Sequence, residues 1–424
     1  MLDDLFTRIE DQRDAVVELT RELVRFPTVN PPGEAYEPCA RHLGERLHRA
    51  GFEVTYIRAK GALGDSDHYP RLNVVARREG QGPGACVHFN GHIDVVEAAR
   101  GWTVDPFAGV ARGGRLYGRG ACDMKGGLAA AVVALESILA AGIRFAGALE
   151  ISATVDEESG GYAGVAHLAE RGCFSRPRVD HVIIPEPHSA TAICLGHRGV
   201  WWAEIETRGR VAHGSMPFLG DCAIRHMGAL LDRIERQLLP ELATRQTAMP
   251  IVPAGARRST LNINALHGGQ AEGHDGLPSP VVADSCRVTL DRRFLLEEDL
   301  GAVKAELIEI LDQLRRERPG FAYRLRELME VLPTQTAKDA PVVRAVAAAI
   351  EQVTGRRPEF VCSPGTYDQK HVHRIGGLED CIAYGPGKVE LAHQPDEYVE
   401  IDDLVTSAKV MAAAALRLLG VAPG

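Results

Sequence analysis

The chain has 424 residues, 45% of them hydrophobic and 25% charged, with a net charge of −9 and a pI near 6.0. That length exceeds one ordinary domain and predicts two. The acidic balance argues against a nucleic-acid binder, and the absence of any run of about 18 apolar residues argues against a membrane span. Residues 4–26 predict a helix, with Leu5, Ile9, Val16, Leu19, Leu23 and Phe26 at roughly helical spacing. It stops before the Pro-rich turn PTVNPPGE, and a second helix near 35–50 ends at Gly51. Strand-like runs FEVTYI, LNVVARRE and ACVHFNGHID follow. Then come a helix over 126–142, a strand over 148–155, a helix near 162–171 and a strand at 181–184. This alternation predicts an α/β fold, a mostly parallel sheet with helices on both faces.

After about residue 198 the texture changes. VWWAEIETRGR reads as a strand, DCAIRHMGALLDRIERQLL as a long amphipathic helix, and STLNINALHGG and SPVVADSCRVTLDRRF as two more strands. A helix over 297–318 and a strand at FAYRLRELM complete a β-α-β-β-α-β order. That order fits a small ferredoxin-like α+β sandwich with both helices on one side. The Gly- and Pro-containing segment 271–281 reads as an exposed loop. From about 330 the α/β texture returns, with helices over 340–354 and 402–419. The expected organisation is therefore a catalytic domain in two parts, 1–198 and 329–424, interrupted by an inserted domain at 199–328.

Nine cysteines are scattered singly, with no C-x-x-C spacing, so they read as reduced thiols. The acidic, amphipathic N-terminal stretch lacks the basic and apolar regions of a signal peptide. Both features point to the cytoplasm.

Chemistry collects where apolar runs end, which is where α/β folds place ligands. FNGHIDVV offers His92 and Asp94, and GRGACDMKGG offers Asp123. TVDEESGG offers Glu157 and Glu158, IIPEPHS offers Glu186, and GPGKVELAHQPDEYVEI offers His393. Imidazoles and carboxylates at such positions are a typical ligand set for zinc or a similar divalent ion. If Asp123, Glu158 and Glu186 bind with neutral His92 and His393, three negative charges face +4 from two divalent ions, and a bridging hydroxide balances the sum. A single ion leaves −1, so charge counting favours two.

In this order, HIDVV, GRGACDMKGG, TVDEESGG, PEP and AHQPDE resemble the dinuclear zinc amidohydrolase and peptidase family. That family includes acetylornithine deacetylase, succinyl-diaminopimelate desuccinylase, aminoacylase and carboxypeptidase G. The resemblance covers essentially the whole chain. It implies one metal on His92, Asp123 and Glu186, and a second on Asp123, Glu158 and His393, with Asp123 as the bridge. Zinc is the implied metal, with cobalt or manganese as substitutes. Glu157 would be the general base, and Asp94 would orient the His92 imidazole. The resemblance also implies a cis peptide at Asp123–Met124. Glu157 and Glu158 are expected to diverge as neighbours in an extended segment do, and Asp156 to be a turn or cap residue.

In the insert, His213 of GRVAHGSMP resembles the family histidine that reaches the substrate carbonyl, often across a dimer interface. Asn264 and Arg293 resemble positions that hold a substrate carboxylate, and Gly365 and Thr366 resemble a substrate-contacting Gly-Thr loop. The implied activity is hydrolysis of a linear amide in a small N-acyl amino acid. A carboxypeptidase G-like peptidase or dipeptidase, or a catalytically silent ligand-binding member, are the alternatives. The implied partners are a small carboxylate-bearing substrate and a second copy of the chain, with neither nucleic acid nor membrane. The second copy would dock on a sheet edge at VWWAEIETR or on the helix face at DCAIRHMGALLDR.

Overall fold

The computed structural model of the protein describes residues 1–270, 273–277 and 279–422. The loop expected over 271–281 thus includes three residues, 271, 272 and 278, that lie outside the described ones. Two compact units emerge. The first comprises Met1–Gly196, Thr336–Val361 and Tyr367–Gly424; the second comprises His197–Gln335 with Cys362–Thr366.

The first unit is built on a mixed sheet. Its central strands, Ala148–Thr154, Cys86–His92, His181–Ile184 and Cys381–Ala383, run parallel. Antiparallel partners flank them: Leu72–Glu79 pairs with Ala148–Thr154, and Glu53–Arg58 lies outside it. On the far side, Ala192–His197 meets Cys381–Ala383 antiparallel. Strand Cys86–His92 is buried along its whole length, so both of its faces are covered. Gly91 faces the helix Lys125–Ala140, where an added Cβ would lie 3.1 Å from Leu128. The opposite face carries Asn90, which bonds Asp368 just ahead of the helix Gln369–Arg374. Layers of helix on both faces explain why so little of these strands reads as polar-out. Helix Lys125–Ala140 is itself buried almost all round, wrapped by Leu2–Asp11, Arg13–Val24 and Ile401–Leu418. Its Gly127 allows a close approach, since any Cβ there would collide with the Pro185 carbonyl.

Several local expectations change. The single helix expected over 4–26 is two helices, Leu2–Asp11 and Arg13–Val24, meeting at Gln12. A small sheet of Val110–Arg112, Arg115–Tyr117 and Tyr398–Glu400 has no counterpart in the sequence reading, because three-residue strands carry too few alternations to register.

The second unit is a four-stranded antiparallel sheet in the order Thr260–Gly268, Ser285–Phe294, Gly199–Arg208, Ala322–Val331. Buried residues alternate along Ser285–Phe294, and Val288 and Leu290 join one core with Trp201, Met227, Leu230, Leu307 and Leu311. Helices Ala223–Arg233 and Leu300–Glu317 supply that core. Gly199–Arg208, which contains VWWAEIETR, is a central strand and not the edge anticipated for it. The edges are Thr260–Gly268 and Ala322–Val331, because Gly199–Arg208 pairs on one side with Ser285–Phe294 and on the other with Ala322–Val331. Residues Cys362–Thr366, expected with the second part of the catalytic domain, cluster here instead. Cys362 exchanges backbone bonds with Pro250 and Val252, and Arg198 donates to the Pro364 carbonyl at 3.1 Å. Among the described residues no helix is long and apolar enough to cross a membrane.

Candidate metal centre

The four central parallel strands of the first unit end at one edge. His92 is the last residue of its strand, Glu157 and Glu158 follow Ala148–Thr154, Glu186 follows His181–Ile184, and the loop after Cys381–Ala383 leads to His393. Asp123 sits in the turn before helix Lys125–Ala140, and its peptide bond to Met124 is cis. The carboxyl ends of parallel strands thus converge as in other open α/β sheets.

Ligand-capable atoms of His92, Asp123 and Glu186 lie within 4.8 Å of one another, and so do those of Asp123, Glu158 and His393. Asp123 belongs to both groups and divides its oxygens between them. Its Oδ1 lies 3.2 Å from His92 Nε2, and its Oδ2 lies 3.5 Å from His393 Nε2. His393 Nε2 is also 3.0 Å from Glu158 Oε1, and His92 Nε2 is 3.9 Å from Glu186 Oε1. The electrostatics call for added positive charge. Burial and the neighbouring Asp123 push the Glu158 carboxyl up to about 7 and drive Glu186 well above the ordinary range. The Glu158 contact and the nearby acids raise His393 to about 9, against burial. This donor set of two imidazoles and three carboxylates around a shared aspartate suits a pair of divalent ions.

Glu157 belongs to neither group. Its Oε1 accepts from Lys370 Nζ at 2.9 Å. The divergence of the two glutamates does not come from an extended segment, as anticipated. Glu157–Ser159 forms a single 3₁₀ turn, in which successive side chains differ by roughly 120°. Asp156 precedes it in the left-handed region, with φ 63°. Its carboxylate does not cap the turn but accepts from Arg71 Nε at 3.0 Å and Tyr36 Oη at 2.8 Å.

Asp94 also acts differently from the expectation. His92 Nδ1 lies 2.9 Å from the backbone carbonyl of Asp94 and 3.6 Å from its carboxylate. The carboxylate accepts instead from the backbone N–H groups of Glu157 and Glu158 and from Asn30 Nδ2, each at 3.1 Å. Asp94 therefore fixes the turn that carries both glutamates, while its main chain orients the imidazole.

Sequence reading missed Glu397. Its Oε1 accepts from the backbone N–H groups of Gly120, Cys122 and Asp123 at 2.9–3.0 Å, and its Oε2 from the buried Arg119 guanidinium. It lies in the quoted AHQPDE string, four residues after His393, but nothing in the spacing says that a carboxylate there reaches back to the Asp123 turn. Cys122 points away from the centre, donating its thiol to the Lys388 carbonyl.

The remaining site residues lie in the second unit. His213 is exposed, and its Nδ1 accepts from Ser215 N–H at 3.2 Å and faces Ser215 Oγ at 2.8 Å. A backbone donor on Nδ1 leaves the neutral ring's proton on Nε2, making that nitrogen a donor. Asn264 sits at a bulge in the edge strand, its Oδ1 accepting from Asn262. Arg293 has its fork on Asp291, at 2.7 and 2.9 Å. Gly365 N–H donates to Ser363 Oγ, and Thr366 is half-buried beside it.

Residues 88–417 match the model of peptidase family M20/M25/M40. The chain is 31% identical over 384 residues to the acetylornithine deacetylase of Myxococcus xanthus, covering 90% of this chain and 92% of that one. It is 32% identical over 399 residues to the succinyl-diaminopimelate desuccinylase of Stenotrophomonas maltophilia, covering 92% and 95%. Among solved structures, the di-peptidase Dug1p from Saccharomyces cerevisiae superposes with a TM-score of 0.80 at 16% identity, over 100% of this chain and 99% of that one. The Bacillus subtilis YXEP protein, described as a dinuclear metal binding peptidase, superposes with a TM-score of 0.68 at 14% identity, over 97% and 100%.

Proposed function

The chain belongs to peptidase family M20/M25/M40, and from that membership we propose that it hydrolyses the amide bond of a small, carboxylate-bearing N-acyl amino acid, as a deacetylase or desuccinylase does. The observation that carries this reading is the pair of ligand groups meeting at Asp123, with Glu157 beside them and outside both. His92, Asp123 and Glu186 would hold one divalent ion, and Asp123, Glu158 and His393 the other. Zinc suits these N and O donors, and cobalt or manganese can replace it. The ions would lower the pKa of a shared water and polarise the scissile carbonyl. Glu157 takes a proton from the attacking water and returns it to the leaving nitrogen as the C–N bond breaks. Nε2–H of His213 donates to the developing oxyanion. Asn264, Arg293, Gly365 and Thr366 receive the substrate's carboxylate end, Arg293 exchanging Asp291 for it.

We further propose a homodimer formed through the second unit, with His213 delivered to the partner's metals. The open edge strand Thr260–Gly268 exposes Ile263 and Leu266, and Val211, Phe218, Leu219 and Ile224 are exposed in the same unit. Cysteines scattered singly, with no C-x-x-C spacing, fit a cytoplasmic setting.

The test is hydrolysis of N-acetyl, N-succinyl, N-formyl and N-carbamoyl amino acids and of dipeptides, with zinc, cobalt or manganese added. Turnover of an N-acyl amino acid supports the reading; turnover of dipeptides alone replaces it with the peptidase. On the best substrate, Glu157→Gln abolishes turnover with both metals retained, whereas Glu158→Gln loses metal. Exchanged phenotypes would reverse the two roles.

A further inference from the structure

Glu157 and Glu158 hang from the same clamp, the Asp94 carboxylate, through adjacent backbone N–H groups. The clamp is common to both, and the 3₁₀ turn sets only their bearings, roughly 120° apart. The difference lies in what each side chain meets. Glu158 meets His393, and Glu157 meets the ammonium of Lys370, which is only 4% exposed. A buried ammonium needs compensating charge, and Asp368 supplies a second carboxylate near it.

Asp368 is held in turn by a row of polar side chains beneath the site. Strands Cys86–His92 and Ala148–Thr154 pair in register, setting His88 against Glu150, Asn90 against Ser152 and His92 against Thr154, all buried on one face. Asn90 Nδ2 donates to Asp368 Oδ2 at 3.1 Å, and Ser152 Oγ donates to Asn90 Oδ1 at 2.7 Å. With its proton spent there, Ser152 Oγ accepts from His88 Nε2 at 2.7 Å. His88 Nδ1 faces Glu150 Oε1 at 2.8 Å, close enough for an ion pair though not aligned as a hydrogen bond. The row that ends in the candidate ligand His92 thus also anchors, one step to the side, Asp368.

We propose that Lys370 is a positioning residue that keeps Glu157 out of the metal ligand set. It occupies one oxygen of Glu157 and leaves the other for the water proton. Asp368, tethered through Asn90, Ser152 and His88, attracts the ammonium as a second negative charge without bonding it. This inference rests on the reading of Glu157 as the base. A carboxylate with both oxygens free beside divalent cations is a ligand by preference, and a ligated carboxylate is a poor proton acceptor.

The test uses the full-length protein loaded with cobalt(II), whose visible absorption weakens as ligands are added. Lys370→Met, neutral and of similar length, takes up cobalt as wild type does but absorbs less strongly. Its kcat falls about 100-fold, the low end of general-base contributions, with KM little changed, and Lys370→Arg recovers most of the loss. Adding Glu157→Gln to Lys370→Met restores the absorption, because the intruding ligand is gone. Asn90→Ala, which leaves Lys370 intact, shifts absorption and kcat the same way by a smaller factor, so the idea remains testable if Lys370→Met does not fold. Wild-type absorption and kcat in either variant overturn the proposal, as does weakened absorption that persists in the Lys370→Met, Glu157→Gln double variant. An active Glu157→Gln enzyme would instead sink the underlying assignment of the base.

Discussion

Glu397→Gln removes one charge from a carboxylate that holds the Asp123 turn without facing the candidate ligands. Three backbone N–H groups converge on its Oε1 and Arg119 on its Oε2, and both residues are buried. Bonds to a charged acceptor are worth about 1.5–3 kcal/mol, against about 1 for a neutral one. Each N–H bond therefore weakens by about 1 kcal/mol. The buried Arg119 also loses its counter-ion, a change that costs about 3–5 kcal/mol when a partner is deleted and less when an amide oxygen remains. The terms share one side chain and do not add, so a total loss of about 3–5 kcal/mol is expected. Against typical domain stabilities of about 5–15 kcal/mol, such a loss is a large and measurable fraction of the total. Urea unfolding followed by circular dichroism measures this on the metal-free protein. Repeating it with zinc adds a second reading. Ligand at 100 times Kd stabilises by about 2.7 kcal/mol per site. If the loosened Asp123 turn weakens binding tenfold, about 1.4 kcal/mol of that increment is lost. A variant within about 0.5 kcal/mol of wild type without metal, and with an unchanged zinc increment, would show that Glu397 neither holds the turn nor positions the bridge.

His92→Ala and His393→Ala should each lower metal content by elemental analysis, and full occupancy in both would remove them from the ligand set. Mixing His213→Ala with Glu157→Gln subunits should restore activity if His213 acts across the dimer, because one site of each hybrid keeps both residues; a hybrid verified by mass spectrometry yet inactive would exclude that arrangement. Burial alone would raise the Glu150 carboxyl, but His88 and Arg178 outweigh it and hold it at about 2, below its ordinary 4.5. The folded pKa is depressed, so the stabilisation is full above pH 4.5 and is lost as pH falls through about 2. Glu150→Gln should therefore lose about 3 kcal/mol at pH 7 and show a flatter decline over that acid window; equal urea midpoints for both proteins at pH 7 would refute it.

The candidate ligands were legible because each sits at the end of an apolar strand or in a Gly-rich turn, where local pattern alone signals a ligand edge. That pattern offered His92, Asp94, Asp123, Glu157, Glu158, Glu186 and His393 together, and only the family resemblance separated the five proposed ligands from Asp94 and Glu157. The insertion showed in the same way, as a change from parallel-sheet texture to amphipathic strands and helices. Glu397 was not legible, because it acts on backbone N–H groups 274–277 positions away, and any sequence supplies N–H groups. Lys370 meets Glu157 across 213 positions, and a lysine in TYDQKH reads as a solvated one until the fold buries it. The row from His88 to Asp368 depends on the register of two strands, and a slip of one residue would turn His88, Asn90 and His92 to the other face. Local sequence thus determined which side chains stand at the ends of the strands. Strand register and chain return decided which buried polar groups stand behind them, because those contacts arise only once distant segments are brought together.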